Sequence, residues 1–146
     1  PDQLIDYTYG REHSFSDSSK VALQHIDFSY PFTPSVIKQL QSVASRLKLA
    51  YHTPAVYAAT QGPRLETAAE INRLERDGCD IVGMTAMPEA GLAAELAIEY
   101  ASICLVVNPA AGRSDKLITI DDIHAVLDAG IGDIKRLLEH LIPTLN

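Results

Sequence analysis

The sequence has 146 residues, room for one modest domain with a core of useful size. At 47% hydrophobic and 21% charged it has the balance of an ordinary globular protein, and a net charge of −7 argues against a nucleic-acid-binding surface. The two cysteines, Cys79 and Cys104, lie in apolar stretches without metal-ligand spacing, so neither a disulfide framework nor a metal site is expected.

In chain order, the opening Pro1-Asp2-Gln3-Leu4-Ile5-Asp6 lacks the basic-then-apolar plan of a signal peptide. No run nears the roughly 18 apolar residues of a membrane span. A reduced, cytoplasmic enzyme or binding module is the expectation. The first third reads as irregular: Thr8 to Asp17 is polar, and Ser14 to Ser19 holds four serines with no apolar period, the pattern of a long surface loop. A helix follows Pro34, because Val36, Ile37, Leu40, Val43, Ala44 and Leu47 recur at three- and four-residue steps.

From residue 54 strand and helix signals alternate. Ala55 to Thr60 is a short apolar run broken by Gln61-Gly62-Pro63. Thr67 to Asp77 reads as a helix with Ala68, Ile71 and Leu74 on one side and Gly78 at its left-handed cap. Cys79 to Gly83 is a buried-strand candidate. Pro88 suits the first turn of a helix running to about Ile98, with Glu89 complementing its positive end. Ala101 to Val107 is continuously apolar and rich in β-branched residues, which predicts a strand covered on both faces. Thr119 and Asp122 form a capping arrangement before a long amphipathic helix carried by Ile123, Val126, Leu127, Ile131, Ile134, Leu137, Leu138 and Leu141. Gly130 and Gly132 inside it mark a bend or a close contact.

This alternation predicts an α/β fold with a mixed, largely parallel sheet flanked by helices. In such sheets ligands bind beyond the carboxyl ends of the strands. Three polar clusters follow the three apolar runs: Thr60 to Glu66, Met84 to Glu89, and Asn108 to Arg113. Taken singly, each has a bland explanation. Glu66 would complement a helix dipole for about 0.3–1 kcal/mol, Met84 and Met87 would pack, and Asn108 before Pro109 would make a turn. None of His13, His25, His52, His124 and His140 stands above a surface or core role.

Taken together, Thr60-Gln61-Gly62-Pro63-Arg64-Leu65-Glu66-Thr67, Gly83-Met84-Thr85-Ala86-Met87-Pro88-Glu89 and Val106-Val107-Asn108 resemble the trimeric purine nucleoside phosphorylase and methylthioadenosine phosphorylase family. The likeness is nearest to its bacterial methylthioinosine-cleaving branch. Asp2-Gln3-Leu4-Ile5-Asp6 and His25-Ile26-Asp27-Phe28 match as well, so the resemblance covers essentially the whole chain. It implies the nucleoside phosphorylase fold and cleavage of a purine–ribose bond with phosphate as co-substrate. No other cofactor, no metal, no nucleic acid and no membrane partner are implied, and a homotrimer is.

By this resemblance Glu66 accepts from the purine N1–H, and Asn108 contacts O6 and N7 and stabilises the departing base. A lactam N1–H suits an ionised carboxylate, and a carboxamide offers both a donor and an acceptor. Relatives that prefer 6-aminopurines carry aspartates matching Asn108 and Ala110, so the resemblance points to hypoxanthine or guanine rather than adenine. Leu65 would lie against the base and Met84 against the ribose. Thr85, with Thr60 nearby, would contact phosphate, while Ile120 and Ile123 would form an apolar wall suited to a 5′-methylthio group. The family's N-terminal phosphate loop has no counterpart here. Residues 1–146 are therefore expected to be the C-terminal portion of one nucleoside phosphorylase domain, inactive alone, with an uncovered sheet edge. Two alternatives stay open: a general inosine/guanosine phosphorylase, and a noncatalytic purine-binding or assembly fragment.

Overall fold

The computed structural model describes residues 1–17 and 21–145; Ser18 and Ser19 of the serine-rich loop lie outside the described residues. Three strands, β1 (Gln3–Asp6), β2 (Val56–Ala59) and β3 (Ile81–Gly83), form a sheet in the order β1-β2-β3. Both pairings are parallel, with Leu4 opposite Tyr57 and Ala58 opposite Val82. Among the described residues four α-helices accompany the sheet: α1 (Pro34–Arg46), α2 (Ala68–Arg76), α3 (Glu89–Glu95) and α4 (Ile120–Leu141).

Side-chain alternation along β2 divides the core. Tyr57 and Ala59 join Phe32, Ala86, Met87 and Ala90 on one face of the sheet. Ala58, on the other face, meets Ile71 and Leu74 of α2. Period-2 alternation on a central strand therefore makes a layer on each side. A third cluster, Val43 and Ala44 with Leu137 and Leu141, locks α1 against α4.

Local chemistry sets the helix boundaries. Pro34 occupies the first turn of α1, where its missing N–H costs nothing. Thr67 and Glu70 form a reciprocal capping box at the start of α2, and Gly78 follows its C-cap at φ +92°. Thr119 caps α4 by accepting from the Asp122 N–H. Gly130 marks a close contact, since a Cβ there would lie 2.7 Å from Leu105 Cδ1; Gly132 faces open space.

Three expectations are corrected. Gln3–Asp6 is a strand, where the sequence read as irregular; a four-residue piece is too short to show a period, and its pairing with β2 supplies the order. The helix after Pro88 ends at Glu95, with Pro88 as its N-cap rather than inside its first turn. Ala101 to Val107 joins no ladder among the described residues. Its apolar run does pack, as Cys104 reaches the Tyr57 cluster and Leu105 reaches Gly130. A strand needs a hydrogen-bonded neighbour as well as burial, and cavities bordered by Ile81, Cys104 and Leu105 flank this segment.

Arg64 donates to both carboxylate oxygens of Glu70 at 2.8 and 2.7 Å, and Glu70 also accepts from the Thr67 N–H. Hydrogen bonding from Arg64, then from the Thr67 backbone, lowers the Glu70 carboxyl to about 2 from its ordinary 4.5. A lowered carboxyl stabilises the fold above its unfolded value and loses that contribution as pH falls toward the folded one. The stability difference between the native protein and Glu70→Gln, measured by urea unfolding, should hold at neutral pH. It should shrink steadily between pH 4.5 and about 2. Thr67→Ala should cost about 0.5–2 kcal/mol at neutral pH through the lost cap.

Candidate functional site

Parallel pairing sends the carboxyl ends of all three strands to one edge, and the segments that leave them carry the polar clusters. Thr60 extends the ladder one step, its N–H donating to the Gly83 carbonyl at 2.8 Å. Gly62 then turns at φ +67°, and a Cβ there would stand 2.5 Å from Met84 Sδ. Only glycine satisfies both the left-handed turn and the approach of Met84. Next to this turn opens a cavity of about 410 Å³, bordered by Leu65, Glu66, Met84, Asn108 and Ile118, with Tyr57 and Val82 of the sheet.

Glu66 is half-buried and already oriented. The Thr60 hydroxyl donates to its Oε1 at 2.6 Å, leaving Oε2 without that bond. Tyr57 Oη accepts from the Thr85 N–H at 3.2 Å and lies 3.1 Å from Thr85 Oγ1. A buried phenol on the central strand thus holds the residue that follows Met84. Gly83 makes room for it, since a Cβ there would fall 2.2 Å from Tyr57 Oη.

The third segment, after Val107, rests on α2. A Cβ at Gly112 would meet Ala68 Cβ at 2.6 Å, and Arg113 donates to Asn72 Oδ1 at 2.9 Å and also to Glu75. These contacts hold Asn108 at the cavity, where its Nδ2 donates to the Pro109 carbonyl at 2.7 Å. A smaller cavity of about 230 Å³, bordered by Tyr7, Tyr9, Thr60 and Arg64, lies on the other side of Glu66. Burial, then donation to Asp77 and a contact with Cys79, raises the Tyr7 phenol well above its ordinary value. Burial likewise raises the Cys79 thiol, which suppresses the thiolate that nucleophilic chemistry would need. No group of three or more metal-ligating side chains occurs among the described residues, and no helix is long and apolar enough to cross a membrane.

Of the residues singled out in the sequence, Glu66, Asn108, Leu65 and Met84 border one cavity. The Thr60 hydroxyl goes to Glu66 rather than toward Thr85, which is exposed and paired with Tyr57. Ile120 and Ile123 do not border this cavity. Thr119 caps α4, so Ile118 before the cap borders the cavity while Ile120, in the first turn, is 64% exposed. Arg113 closes the third polar cluster of the sequence, whereas Arg11 and Tyr57, which contact the turns after β2 and β3, are not among the residues singled out there. The alternation of β2 hints at Tyr57, but an arginine in an irregular polar stretch carries no pattern that marks it.

The sequence pattern of the phosphorylase superfamily matches residues 1–143. The chain is 51% identical over 142 residues to a protein of Pseudomonas syringae pv. tomato named "probable S-methyl-5′-thioinosine phosphorylase", covering 97% of this chain and 58% of that relative. A "6-oxopurine nucleoside phosphorylase" of Pyrococcus furiosus is 40% identical over 149 residues, covering 99% of this chain and 56% of the relative. The chain thus spans a little over half the length of these curated relatives. Among solved structures, a double mutant of the adenosine/methylthioadenosine phosphorylase of Schistosoma mansoni with adenine superposes with a TM-score of 0.90 at 24% identity. That match covers 99% of this chain and 60% of the other and shows a shared fold.

The contact between Gly83 and Tyr57 gives a direct test. Gly83→Ala should destabilise the protein by about 1–3 kcal/mol, because the added methyl has to displace a buried ring. In the Gly83→Ala/Tyr57→Phe double variant part of that loss should return, and a thermal-melt double-mutant cycle reads the coupling.

Proposed function

The chain belongs to the phosphorylase superfamily, and on that premise we propose that the protein carrying it cleaves a 6-oxopurine nucleoside with phosphate. The substrate we assign is 5′-methylthioinosine, and the products are hypoxanthine and 5-methylthioribose 1-phosphate. A phosphate oxygen forms the new bond to C1′ as the C1′–N9 bond breaks, and the bonding electron pair leaves with the purine. Phosphate is the nucleophile, so the protein needs no nucleophile of its own. What the transition state requires is donors aimed at the base and an anion held beneath the sugar.

The observation that carries this reading is that Glu66 and Asn108, 42 residues apart along the chain, border the same cavity. Glu66, with Oε1 already taken by Thr60, presents Oε2 to the N1–H of a lactam base. Asn108 turns its amide from the Pro109 carbonyl toward O6 and N7 and stabilises the charge that gathers on the leaving purine. Leu65 covers the base, Met84 packs against the ribose, and Thr85, held by Tyr57, offers its hydroxyl to phosphate. The acidic charge of the whole chain makes a local phosphate pocket necessary. A homotrimer in the cytoplasm, with no cofactor beyond phosphate, completes the reading.

The resemblance to the Pseudomonas syringae protein supports the methylthio substrate. The Pyrococcus furiosus relative, and the absence of Ile120 and Ile123 from the cavity wall, favour a second reading: a general 6-oxopurine nucleoside phosphorylase. With Ile118 as the bordering isoleucine, an apolar 5′ end gains about 10–200-fold in kcat/KM at most. Comparison of methylthioinosine, inosine and methylthioadenosine on the full-length protein decides the matter. Methylthioinosine should lead, inosine in front would install the second reading, and methylthioadenosine in front would refute the base assignment. Glu66→Gln should lower kcat/KM for the favoured substrate by roughly 10²–10³-fold. Asn108→Asp should move the activity ratio toward 6-aminopurines, and an unchanged ratio would remove Asn108 from the base.

A further inference from the structure

Arg11 lies in the segment after β1, half-buried, and borders neither cavity. Its Nε donates to Gln61 Oε1 at 3.1 Å. Its Nη2 is shared among the carbonyl oxygens of Gln61 at 3.2 Å, Met84 at 3.2 Å and Thr60 at 3.4 Å, and its Nη1 donates to the Met87 carbonyl. Two of these carbonyls, with the Gln61 side chain, belong to the turn that leaves β2, and two to the turn that leaves β3. Among the described residues no carboxylate lies within 4.0 Å of the guanidinium, so no ion pair competes for its donors.

We propose that Arg11 is a positioning residue: its guanidinium joins the turn carrying Glu66 to the turn carrying Met84 and Thr85 and sets the spacing between them. Carbonyls turned inward at strand ends need donors. A planar fork with N–H groups on two sides serves acceptors from two loops at once, whereas a lysine ammonium donates from a single point. The Thr60 carbonyl is among those bound, and the Thr60 hydroxyl orients Glu66. The clamp therefore reaches the carboxylate through one residue. The Met84 carbonyl is bound too, and Thr85 follows it, so the clamp also reaches the hydroxyl assigned to phosphate. Its effect on activity rests on the proposed reading of the cavity as a nucleoside site; the clamp itself stands on these contacts.

Arg11→Lys and Arg11→Met in the full-length protein test it with two readouts. In amide hydrogen exchange, residues 60–66 and 84–88 should exchange faster together in Arg11→Lys, with α4 unchanged. In kinetics, KM for nucleoside and for phosphate should both rise, and kcat/KM should fall roughly 10–100-fold, the scale of a small misplacement at a reacting centre. Millimolar guanidinium should restore part of the activity of Arg11→Ala and none of a Glu66→Gln control. Unchanged exchange in both turns overturns the proposal. So does a rise in the phosphate KM alone, which would make Arg11 an anion ligand. If Arg11→Met does not fold, Arg11→Lys and its exchange pattern decide. If the native protein turns over no purine nucleoside, the proposed function fails by itself and exchange alone judges the clamp.

Discussion

Everything in the candidate site depends on the parallel pairing of β1, β2 and β3 in register. A parallel sheet puts like ends together, so each strand releases its following segment at the same edge. Pairing of Ala59 with Gly83 brings the turn after β2 against the turn after β3, and Met84 can then touch Gly62. A slip of one residue would send Tyr57 to the opposite face. Its hydroxyl would then be lost to Thr85, and the cluster around Phe32 would lose its aromatic wall.

On this frame the side chains are held largely by neutral partners. Thr60 fixes Glu66, Tyr57 fixes Thr85, and backbone carbonyls fix Arg11. Two ion pairs lie on the rim, where Arg64 meets Glu70 and Arg113 meets Glu75, and exposed pairs contribute little on their own. Their use here is geometric, since one shapes the entry into α2 and the other ties the Asn108 segment to that helix. Arg64, which shares the smaller cavity with Glu66, is drawn instead onto both oxygens of Glu70, so among the described residues Glu66 is in no ion pair.

Most of the frame was legible because it rests on local signals. The Thr67 cap with Gly78 beyond Asp77, the proline opening α1 and the apolar period of α4 each need only near neighbours in sequence. Legibility stopped where a second segment decides the outcome. Gln3–Asp6 is a strand only because Val56–Ala59 lies beside it, and Ala101–Val107, for all its β-branched residues, has no such neighbour among the described residues. The cavity follows the same division. Glu66, Met84 and Asn108 stood out at the ends of apolar runs, whereas Arg11 gains meaning only from carbonyls some fifty to seventy residues away along the chain. At the start of α4, Ile118 before the Thr119 cap borders the cavity and Ile120 after it does not, a difference that the apolar pattern alone does not carry.

Gly130 couples the far end of the molecule to this edge. Without a side chain there, α4 lies directly on Leu105, only three positions ahead of Asn108. Bulk added at 130 would have to be met by a shift of the Leu105 side chain, so the seating of α4 and the path of the 101–107 run are fixed by one contact. The helix thereby acts as an anvil for the segment that delivers the carboxamide to the cavity.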